Sequence, residues 1–199
     1  MTVLIRTATR NDALHVAAIV DIAGHGIDLG SWLRDLDADH AVLSVARRAA
    51  SADSNSAYHF SRAHLIELDG EVAGGLVGSL LTGDENEVLD PGSPIQPLVT
   101  LETRLPGYWS ILAIAVYPEF RGKGLAQELL AHATGLAVTC GAKGLSLVVE
   151  DTNASAIALY GRMGYAMAET LPWIAYSGRS GPKNWMMMKK GLGPERSTS

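Results

Sequence analysis

The chain has 199 residues, a formal net charge of −5 and an apolar share of 47%. This length fits one domain that can bury a real hydrophobic core. The acidic balance argues against a general nucleic-acid binder, because such a protein presents a basic surface. The longest aliphatic runs, such as residues 111–116, are far too short to span a membrane.

The N-terminal residues lack the layout of a secretory signal, because Arg6 and Arg10 bracket only a few apolar residues. Cys140 is the single cysteine, which excludes a disulfide within the chain and fits a reducing compartment. We therefore expect a cytoplasmic protein that does not associate with membranes. Because Cys140 ends a predicted helix, we expect it to be a buried or half-buried structural thiol.

The first half of the chain predicts a strand, two helices and a hairpin of two strands, at residues 1–9, 9–20, 30–50, 63–68 and 72–81. Thr9 or Asn11 is a suitable N-cap for the first helix. Asp69 and Gly70 provide the positive-φ positions of a tight hairpin turn.

Residues 83–108 contain four prolines and no clear periodicity, which predicts a long loop. Strands and helices then alternate before a final pair of strands, at residues 110–116, 122–139, 144–150, 153–164, 165–170 and 184–190. We expect the tail at 191–199 to be disordered. The order of elements predicts a mixed α/β sheet in a single domain over residues 1–190.

A glycine-spaced turn joins the strand at 110–116 to the helix that follows it. Helix N-termini expose unpaired N–H groups and carry partial positive charge, so they bind phosphate. Gly122 and Gly124 remove Cβ atoms where a ligand would approach the backbone, and Arg121 and Lys123 add positive charge. The turn therefore predicts a site for a pyrophosphate group.

Two common phosphate-binding patterns do not fit this turn. A P-loop requires an earlier glycine and a Ser or Thr after Lys123, and neither is present. A dinucleotide-binding fingerprint would need a third glycine where Gln127 stands. Too little chain follows residue 150 to complete a doubly wound sheet.

A third pattern, R/Q-x-x-G-x-G/A, is matched fully by residues 121–126, and here the sequence resembles the GCN5-related N-acetyltransferase (GNAT) superfamily. A second family signature, N-x-x-A-x-x-x-Y-x-x-x-G-F/Y, is matched by Asn153, Ala156, Tyr160, Gly164 and Tyr165. The resemblance is strongest over residues 109–165. It implies a mixed central sheet of about seven strands, splayed at strands 4 and 5 and flanked by about four helices.

The resemblance implies acetyl-CoA as the co-substrate. In the family, the strand before the turn bonds the pantetheine arm, the turn holds the pyrophosphate, and the asparagine contacts the arm. The cofactor-binding residues implied here are Ile114, Ala115, Val116, Arg121, Gly122, Lys123, Gly124, Leu125, Ala126, Gln127 and Asn153. Tyr160 would be the general acid that protonates the leaving thiolate. From the residues alone, Asn153 also fits a helix N-cap and Tyr160 a core aromatic.

The general base is less sharply indicated than the general acid. In the ribosomal-protein N-terminal acetyltransferases of this superfamily, an acid stands five residues before the asparagine, and here that position is Val148. Glu150 is the nearest acid and our first candidate for the base. The alternatives are Glu102, His59, His64 and Glu67. No H-E-x-x-H or Cys-His cluster occurs, so we expect no metal.

The resemblance implies an enzyme that transfers an acetyl group directly from acetyl-CoA to an acceptor amine. Val148 and the proline-rich segment favour a small-molecule acceptor over a peptide, and a non-catalytic acyl-CoA sensor is the alternative of another class. The acceptor would enter from the side built by residues 25–60, 83–108 and 172–182. Aromatic residues at 107–109 and 172–176 fit either an acceptor wall or core packing. Exposed sheet edges would allow a homodimer.

Overall fold

A computed structural model describes residues 1–27, 32–33, 41–52, 56–83, 92–176, 181 and 183–193. These residues form a seven-stranded sheet in the order β1-β2-β3-β4-β5-β7-β6. The strands are β1 Val3–Thr7, β2 Ala63–Leu68, β3 Glu71–Leu80, β4 Tyr108–Val116, β5 Gly144–Glu150, β6 Ala166–Pro172 and β7 Asn184–Gly191. Only the β4–β5 pair of this sheet is parallel. The predicted mixed sheet is confirmed.

Five α-helices lie within the described residues: α1 Ala13–Ala23, α2 Val42–Ser51, α3 Gln96–Glu102, α4 Leu125–Thr139 and α5 Ala154–Arg162. α4 and α5 pack on one face of the sheet around a core that includes Leu129, Leu147 and Tyr160. α1 and α2 pack with Leu65 and Val77, whose side chains point to the opposite face. α3 lies on that opposite face too, because Val148 points away from the α4 side.

The loop expected over residues 83–108 is interrupted by α3. Pro97 sits in the first turn of this helix, where a missing N–H costs no helical hydrogen bond. Leu101 is fully buried and packs with Trp185 and Met187 of β7, so tertiary packing fixes a helix that has little periodicity of its own. Residues 84–91 lie outside the described residues.

The first helical segment begins as the sequence predicts, with Thr9 as the N-cap of a short 3₁₀ turn. The Asp12 carboxylate accepts hydrogen bonds from the backbone N–H and hydroxyl of Thr9. Arg6 donates two hydrogen bonds to Asp12 and one to Glu67, which ties β1, β2 and this turn together. The Arg6 guanidinium holds the pKa of Asp12 well below its usual range.

Two further expectations concern the hairpin turn and the second helix. Asp69 and Gly70 take φ values of 52° and 89°, which confirms the tight hairpin turn. Within the helix expected over 30–50, the structure shows α2 from Val42 to Ser51. Residues 28–31 and 34–40 lie outside the described residues.

Cys140 is exposed, which corrects the expected buried or half-buried thiol: it caps α4 just beyond the buried stripe that ends at Ala137. β7 extends through Gly191, and the tail at 194–199 lies outside the described residues. Among the described residues, the structure contains no helix of the length and apolarity that a bilayer span requires.

Candidate active site

A cleft opens where the two parallel strands separate. β4 and β5 pair only from Tyr108 opposite Gly144 to Ile111 opposite Leu147. Beyond that point β4 runs on to Val116 and β5 to Glu150, and the space between them belongs to a cleft of about 1270 Å³. The splay expected at strands 4 and 5 is therefore present.

One edge of β4 is left open to this cleft. Its other edge pairs with β3 as far as Val116, with one irregularity at Leu112, where the register shifts between Val77 and Gly78. Beyond Ile111, β5 no longer pairs with β4. The backbone groups of Leu112–Val116 on the β5 side are thus placed to hydrogen-bond a ligand in the cleft.

The glycine turn lies at one end of the cleft. Gly122 and Gly124 have φ values of 77° and 81°, and Gly124 is the N-cap of α4. A Cβ at Gly122 would meet nothing within 4 Å, and one at Gly124 would meet only the Gln127 side chain, at 3.6 Å. Backbone conformation, and not packing, therefore explains why both positions are glycine.

The backbone N–H groups of this turn are typical of an anion site. The Gly124 carbonyl accepts from the backbone N–H of Gln127 at 2.9 Å, so the first turn of α4 is formed. Within the described chain, the backbone N–H groups of residues 122–126 donate to no backbone carbonyl. Such a row of N–H groups at a helix N-terminus attracts phosphate.

Two cationic side chains accompany the turn. The Arg121 Nε donates to the Val116 carbonyl at 3.1 Å and fastens the turn to the end of β4. The Lys123 ammonium lies 5.3 Å from the centre of the Phe120 ring. Arg121 lines the cleft, whereas Lys123 does not.

Asn153 has the capping role that the sequence predicts. Its Oδ1 accepts from the Ala156 N–H at 3.2 Å and from the Ser155 hydroxyl at 3.1 Å, so it caps α5. It also lines the cleft beside those two residues. The capping bonds use Oδ1, which leaves the amide NH₂ as the group that a ligand could contact.

Tyr160 lines the cleft from α5 and is buried. Burial raises its pKa to about 12, because the phenolate would lose its hydration there. Its ring centre lies 6.0 Å from that of Tyr165. At neutral pH Tyr160 therefore keeps its proton and has one to donate.

Glu150 ends β5 on the α1 and α3 face of the sheet, directly opposite Trp185 of β7. Its side chain is 3% exposed, and its Oε2 lies 3.7 Å from the Nε2 of His25. Val148, one pleat earlier on the same face, packs into the apolar cluster beneath α3. The acid on this strand face thus stands two residues beyond Val148.

The structure separates the other candidates for the base. Glu102 lines the cleft from α3. Glu67 is bonded to Arg6, and His59 accepts from Ser61 within its own turn. The Nδ1 of His64 lies 3.1 Å from a nitrogen of His132, and neither ring lines the cleft. Glu102 alone of these alternatives joins Glu150 there.

His25 is the cleft residue that sequence reasoning missed. The available signal was an ionisable side chain between two glycines, Gly24-His25-Gly26, shortly after the helix predicted over 9–20. Such a segment fits a connecting loop, and loops carry functional side chains more often than cores do. Nothing in the sequence pairs it with Glu150, which is 125 residues away.

The aromatic residues divide between the core and the cleft. Trp109 lies in the core beneath α4, so core packing is the outcome there. Trp185 lines the cleft beside Glu150. The Trp173 and Tyr176 ring centres lie 5.5 Å apart, and the Tyr176 hydroxyl donates to the Gly24 carbonyl at 3.1 Å. The segment before β7 is thereby attached to the end of α1.

In the described part of the chain, no group of three or more His, Cys, Asp or Glu side chains is arranged to hold a metal ion. The site is therefore described by its backbone groups, its tyrosine and its ionisable side chains.

Two comparisons of sequence relate the chain to acetyltransferases. The chain is 36% identical over 61 residues to N-alpha-acetyltransferase MAK3 of Arabidopsis thaliana, across 31% of this chain and 32% of that protein. It is 46% identical over 57 residues to the uncharacterized N-acetyltransferase YdgE of Bacillus subtilis (strain 168), across 29% of this chain and 36% of that protein. The chain thus matches about a third of the length of each curated relative.

Solved structures share the fold over nearly the whole chain. A crystal structure described as an acetyltransferase has a TM-score of 0.67 at 22% identity and covers 95% of this chain and 99% of its own. The ribosomal-protein-S18-alanine N-acetyltransferase from Escherichia coli has a TM-score of 0.60 at 16% identity and covers 100% and 99%.

The family description "Acetyltransferase (GNAT) family" matches residues 31–165. This match spans both sequence signatures, the open edge of β4 and the N-terminus of α4. The chain therefore belongs to the GNAT family of acetyltransferases.

Proposed function

We propose that this protein is an N-acetyltransferase that moves an acetyl group directly from acetyl-CoA to the amine of a small molecule. One observation carries the proposal: the cleft between β4 and β5 brings together the open strand edge, the glycine turn, Asn153 and Tyr160. These are the parts that a long thioester with a pyrophosphate and a leaving thiolate would need.

The donor would lie along the open edge of β4. Backbone groups of Ile114, Ala115 and Val116 would bond the amides of the pantetheine arm, much as a neighbouring strand would. The N–H groups of residues 122–127 and the N-terminus of α4 would hold the pyrophosphate, with Arg121 and Lys123 adding positive charge. The Asn153 amide would contact the arm from α5.

Acyl transfer in this cleft needs a neutral amine nitrogen. Its lone pair attacks the thioester carbonyl carbon, and a backbone N–H near Val116 stabilises the oxyanion that forms. The C–S bond then breaks, and Tyr160 gives its proton to the thiolate sulfur. A thiol has an ordinary pKa of about 8.5, so this transfer is uphill on its own. The phenolate, however, recovers a proton from the acylated nitrogen, which must lose one.

The acceptor amine enters as an ammonium ion at neutral pH, so a base must remove one proton before the attack. We propose Glu150 for the basic function of the site, because its carboxylate ends β5 beside the cleft. Glu102 is the other cleft carboxylate that could attract the ammonium.

The acceptor side favours a compact molecule. α3 covers this face of the sheet, and Ile95, Leu98 and Val99 line the cleft beside Glu102. Apolar walls with a few carboxylates suit an amine that has an apolar body. The similarity to a protein named N-alpha-acetyltransferase supports a peptide amine as the second candidate. An acyl-CoA sensor would have no use for the Tyr160 hydroxyl.

The test is thiol release from acetyl-CoA across benzylamine, spermidine, free amino acids and short peptides. We expect turnover with a small amine, and a sharp loss of it in Tyr160→Phe while acetyl-CoA still binds. Turnover with peptides alone would replace the small-molecule acceptor by the peptide. Binding of acetyl-CoA without turnover on the whole panel would favour the sensor, and absence of binding would overturn the proposal.

We further propose a cytoplasmic location and a homodimer formed through an edge of the sheet. The single cysteine supports the first, since oxidising compartments favour disulfides. The edge strands β1 and β6 support the second, because each has one row of backbone groups that no other strand of the sheet pairs. Sedimentation of the purified chain at several concentrations tests the dimer.

A further inference from the structure

The end of α1 holds His25 in an unusual backbone conformation. Its φ is 52°, in the left-handed region that L-residues other than Asn, Asp and His seldom occupy. Hydrogen bonds from the Gly26 N–H to the Asp21 carbonyl and from the His25 N–H to the Ile22 carbonyl fix this turn. Tyr176 bonds the carbonyl of the preceding Gly24, so the turn is held from both sides.

The conformation brings an imidazole to a buried carboxylate. The His25 Nε2 lies 3.7 Å from the Glu150 Oε2, and both residues line the cleft. The two side chains differ in access: 38% of the His25 side chain is exposed, against 3% for Glu150. The imidazole is therefore the more accessible of the two groups. At 3.7 Å, a small rotation or one water molecule joins the pair by hydrogen bonding.

We propose that His25 is a further catalytic residue of this cleft: it takes the proton from the acceptor ammonium, and Glu150 is the positioning carboxylate behind it. The inference rests on the proposed function and refines its base. Imidazole is the side chain best suited to exchange a proton near neutral pH. A nearby carboxylate orients the ring and stabilises the imidazolium that forms.

The proton balance follows from the geometry. With Nε2 turned to Glu150, the ring offers its other nitrogen, Nδ1, to the acceptor. One N–H bond of the ammonium breaks, a new N–H bond forms at Nδ1, and the freed amine lone pair attacks the thioester. Tyr160 moves the second amine proton to the sulfur as described above. His25 then returns its proton to the solvent through its exposed side.

Other charged groups share the surroundings of His25 and shape the design of the test. Asp21 lies one turn earlier on α1, and Glu102 faces the cleft from α3. Arg62 lines it from the turn before β2, while Arg121 and Arg162 lie on the donor side. Because several charged groups surround His25, a pH profile alone would not isolate its role. A matched pair of acceptors separates its role from theirs.

The test compares benzylamine, which is protonated at neutral pH, with O-benzylhydroxylamine, which is neutral there and needs no base. The main variant is His25→Asn, because asparagine keeps the left-handed conformation while losing the basic nitrogen. His25→Gln is the second variant, and His132→Gln is the matched control outside the cleft. We expect His25→Asn to lower kcat/KM for benzylamine at pH 7 by about 10²-fold or more.

For the neutral acceptor, the loss of kcat/KM in His25→Asn should shrink to within about tenfold. The loss for benzylamine should shrink in the same way as the pH is raised and more of the amine is unprotonated. Glu150→Gln should show the same selective loss, and the double variant little more than His25→Asn. Equal losses on both acceptors would mean a structural role and overturn the inference, as would no loss at all. If wild type shows no turnover with any amine, the proposed function fails and this inference with it. If wild type turns over an amine and His25→Asn does so equally well, the inference fails while the proposed function stands.

Discussion

The two halves of the cleft are built in opposite ways. The proposed donor half comes mostly from one continuous stretch, residues 114–127, with Asn153 added from α5, and would act mainly through backbone groups set by Gly122 and Gly124. The proposed acceptor half joins side chains from four separate elements, the ends of α1 and β5 together with α3 and β7. We therefore expect substitutions that change the backbone conformation to impair the donor half, and substitutions that replace a functional group to impair the acceptor half.

Tyr160 stands between the halves, and its substitution should have the largest effect. Tyr160→Phe removes the proton donor, so we expect kcat to fall by about 10²-fold or more while the Kd for acetyl-CoA is kept. The substitution keeps the ring that packs in the core, so Tm should change little. Steady-state kinetics with a thermal melt measures both.

Tyr165→Phe is the matched control for that substitution. Among the described residues the buried Tyr165 hydroxyl has no hydrogen-bond partner, and burial together with the nearby Tyr160 raises its pKa. Its removal should keep activity and hold or raise Tm. A similar loss of kcat in both variants would mean that Tyr160 acts through packing and not through its proton.

The donor half is tested next, through its backbone. Gly124→Val forces a β-branched residue into the left-handed region at the N-terminus of α4, where its side chain would also crowd a bound anion. We expect the affinity for CoA to fall by about tenfold to 10²-fold, measured by titration calorimetry.

Gly141→Val controls for strain at the other end of the same helix. Its φ of 70° is comparable, and a Cβ there meets nothing within 4 Å. Both variants should lose about 1–2 kcal/mol of stability, but only Gly124→Val should lose CoA. Equal binding by the two variants would break the assignment of the anion site to this turn.

The acceptor half predicts a smaller effect for its second carboxylate. Glu102→Gln removes one negative charge from the wall formed by α3, so KM for an amine should rise by about five- to tenfold at low salt. The Kd for acetyl-CoA should stay the same, since the donor lies elsewhere. Glu128→Gln, on the exposed side of α4, is the control, and a matching rise in KM there would point to general electrostatics.

The smallest effect concerns a pair of residues outside both halves. Burial lowers the pKa of His64 and of His132, and the nearness of His132 lowers that of His64 further. A folded-state pKa below the ordinary value of about 6.5 means that folding favours the neutral rings. Their contribution to stability is therefore complete above about pH 6.5 and is lost as the pH falls below it.

We expect the Tm of wild type to fall by a few degrees between pH 7.5 and 5.5, and that of the double variant His64→Gln, His132→Gln to fall less. Asp12 does not enter this window, since its lowered pKa moves its loss of stability to much stronger acid. The same fall in both proteins would contradict the assignment. The result also separates acid instability of the fold from any pH effect of His25.

The contrast between the halves explains what the sequence could predict. The glycine turn and the Asn153–Tyr160 spacing are local patterns, because a strand, a turn and a helix that follow one another fix the geometry. The seven strands and the hairpin at Asp69-Gly70 were readable for the same reason. All of the predicted donor residues except Lys123 line one cleft.

The acceptor half could not be read in this way. α3 depends on the burial of Leu101 against β7. This contact joins distant segments of the chain, so no local periodicity in the sequence predicts it. The approach of His25 to Glu150 depends on the same long-range packing and on a left-handed residue, which sequence propensity does not place. Side chains that are brought together by tertiary structure have no characteristic spacing in the sequence.

The shortened pairing of β4 with β5 has one more consequence. From Leu112 to Val116 the edge of β4 that faces β5 has no partner strand in the sheet. A bound pantetheine arm would complete its hydrogen bonds as an added strand. A ligand that finishes a sheet stabilises the folded chain in proportion to its affinity, by about 2.7 kcal/mol at a hundredfold excess over Kd. Melting temperature would then report donor binding directly. Slowed exchange of the β4 amide protons would show where the missing strand had been supplied.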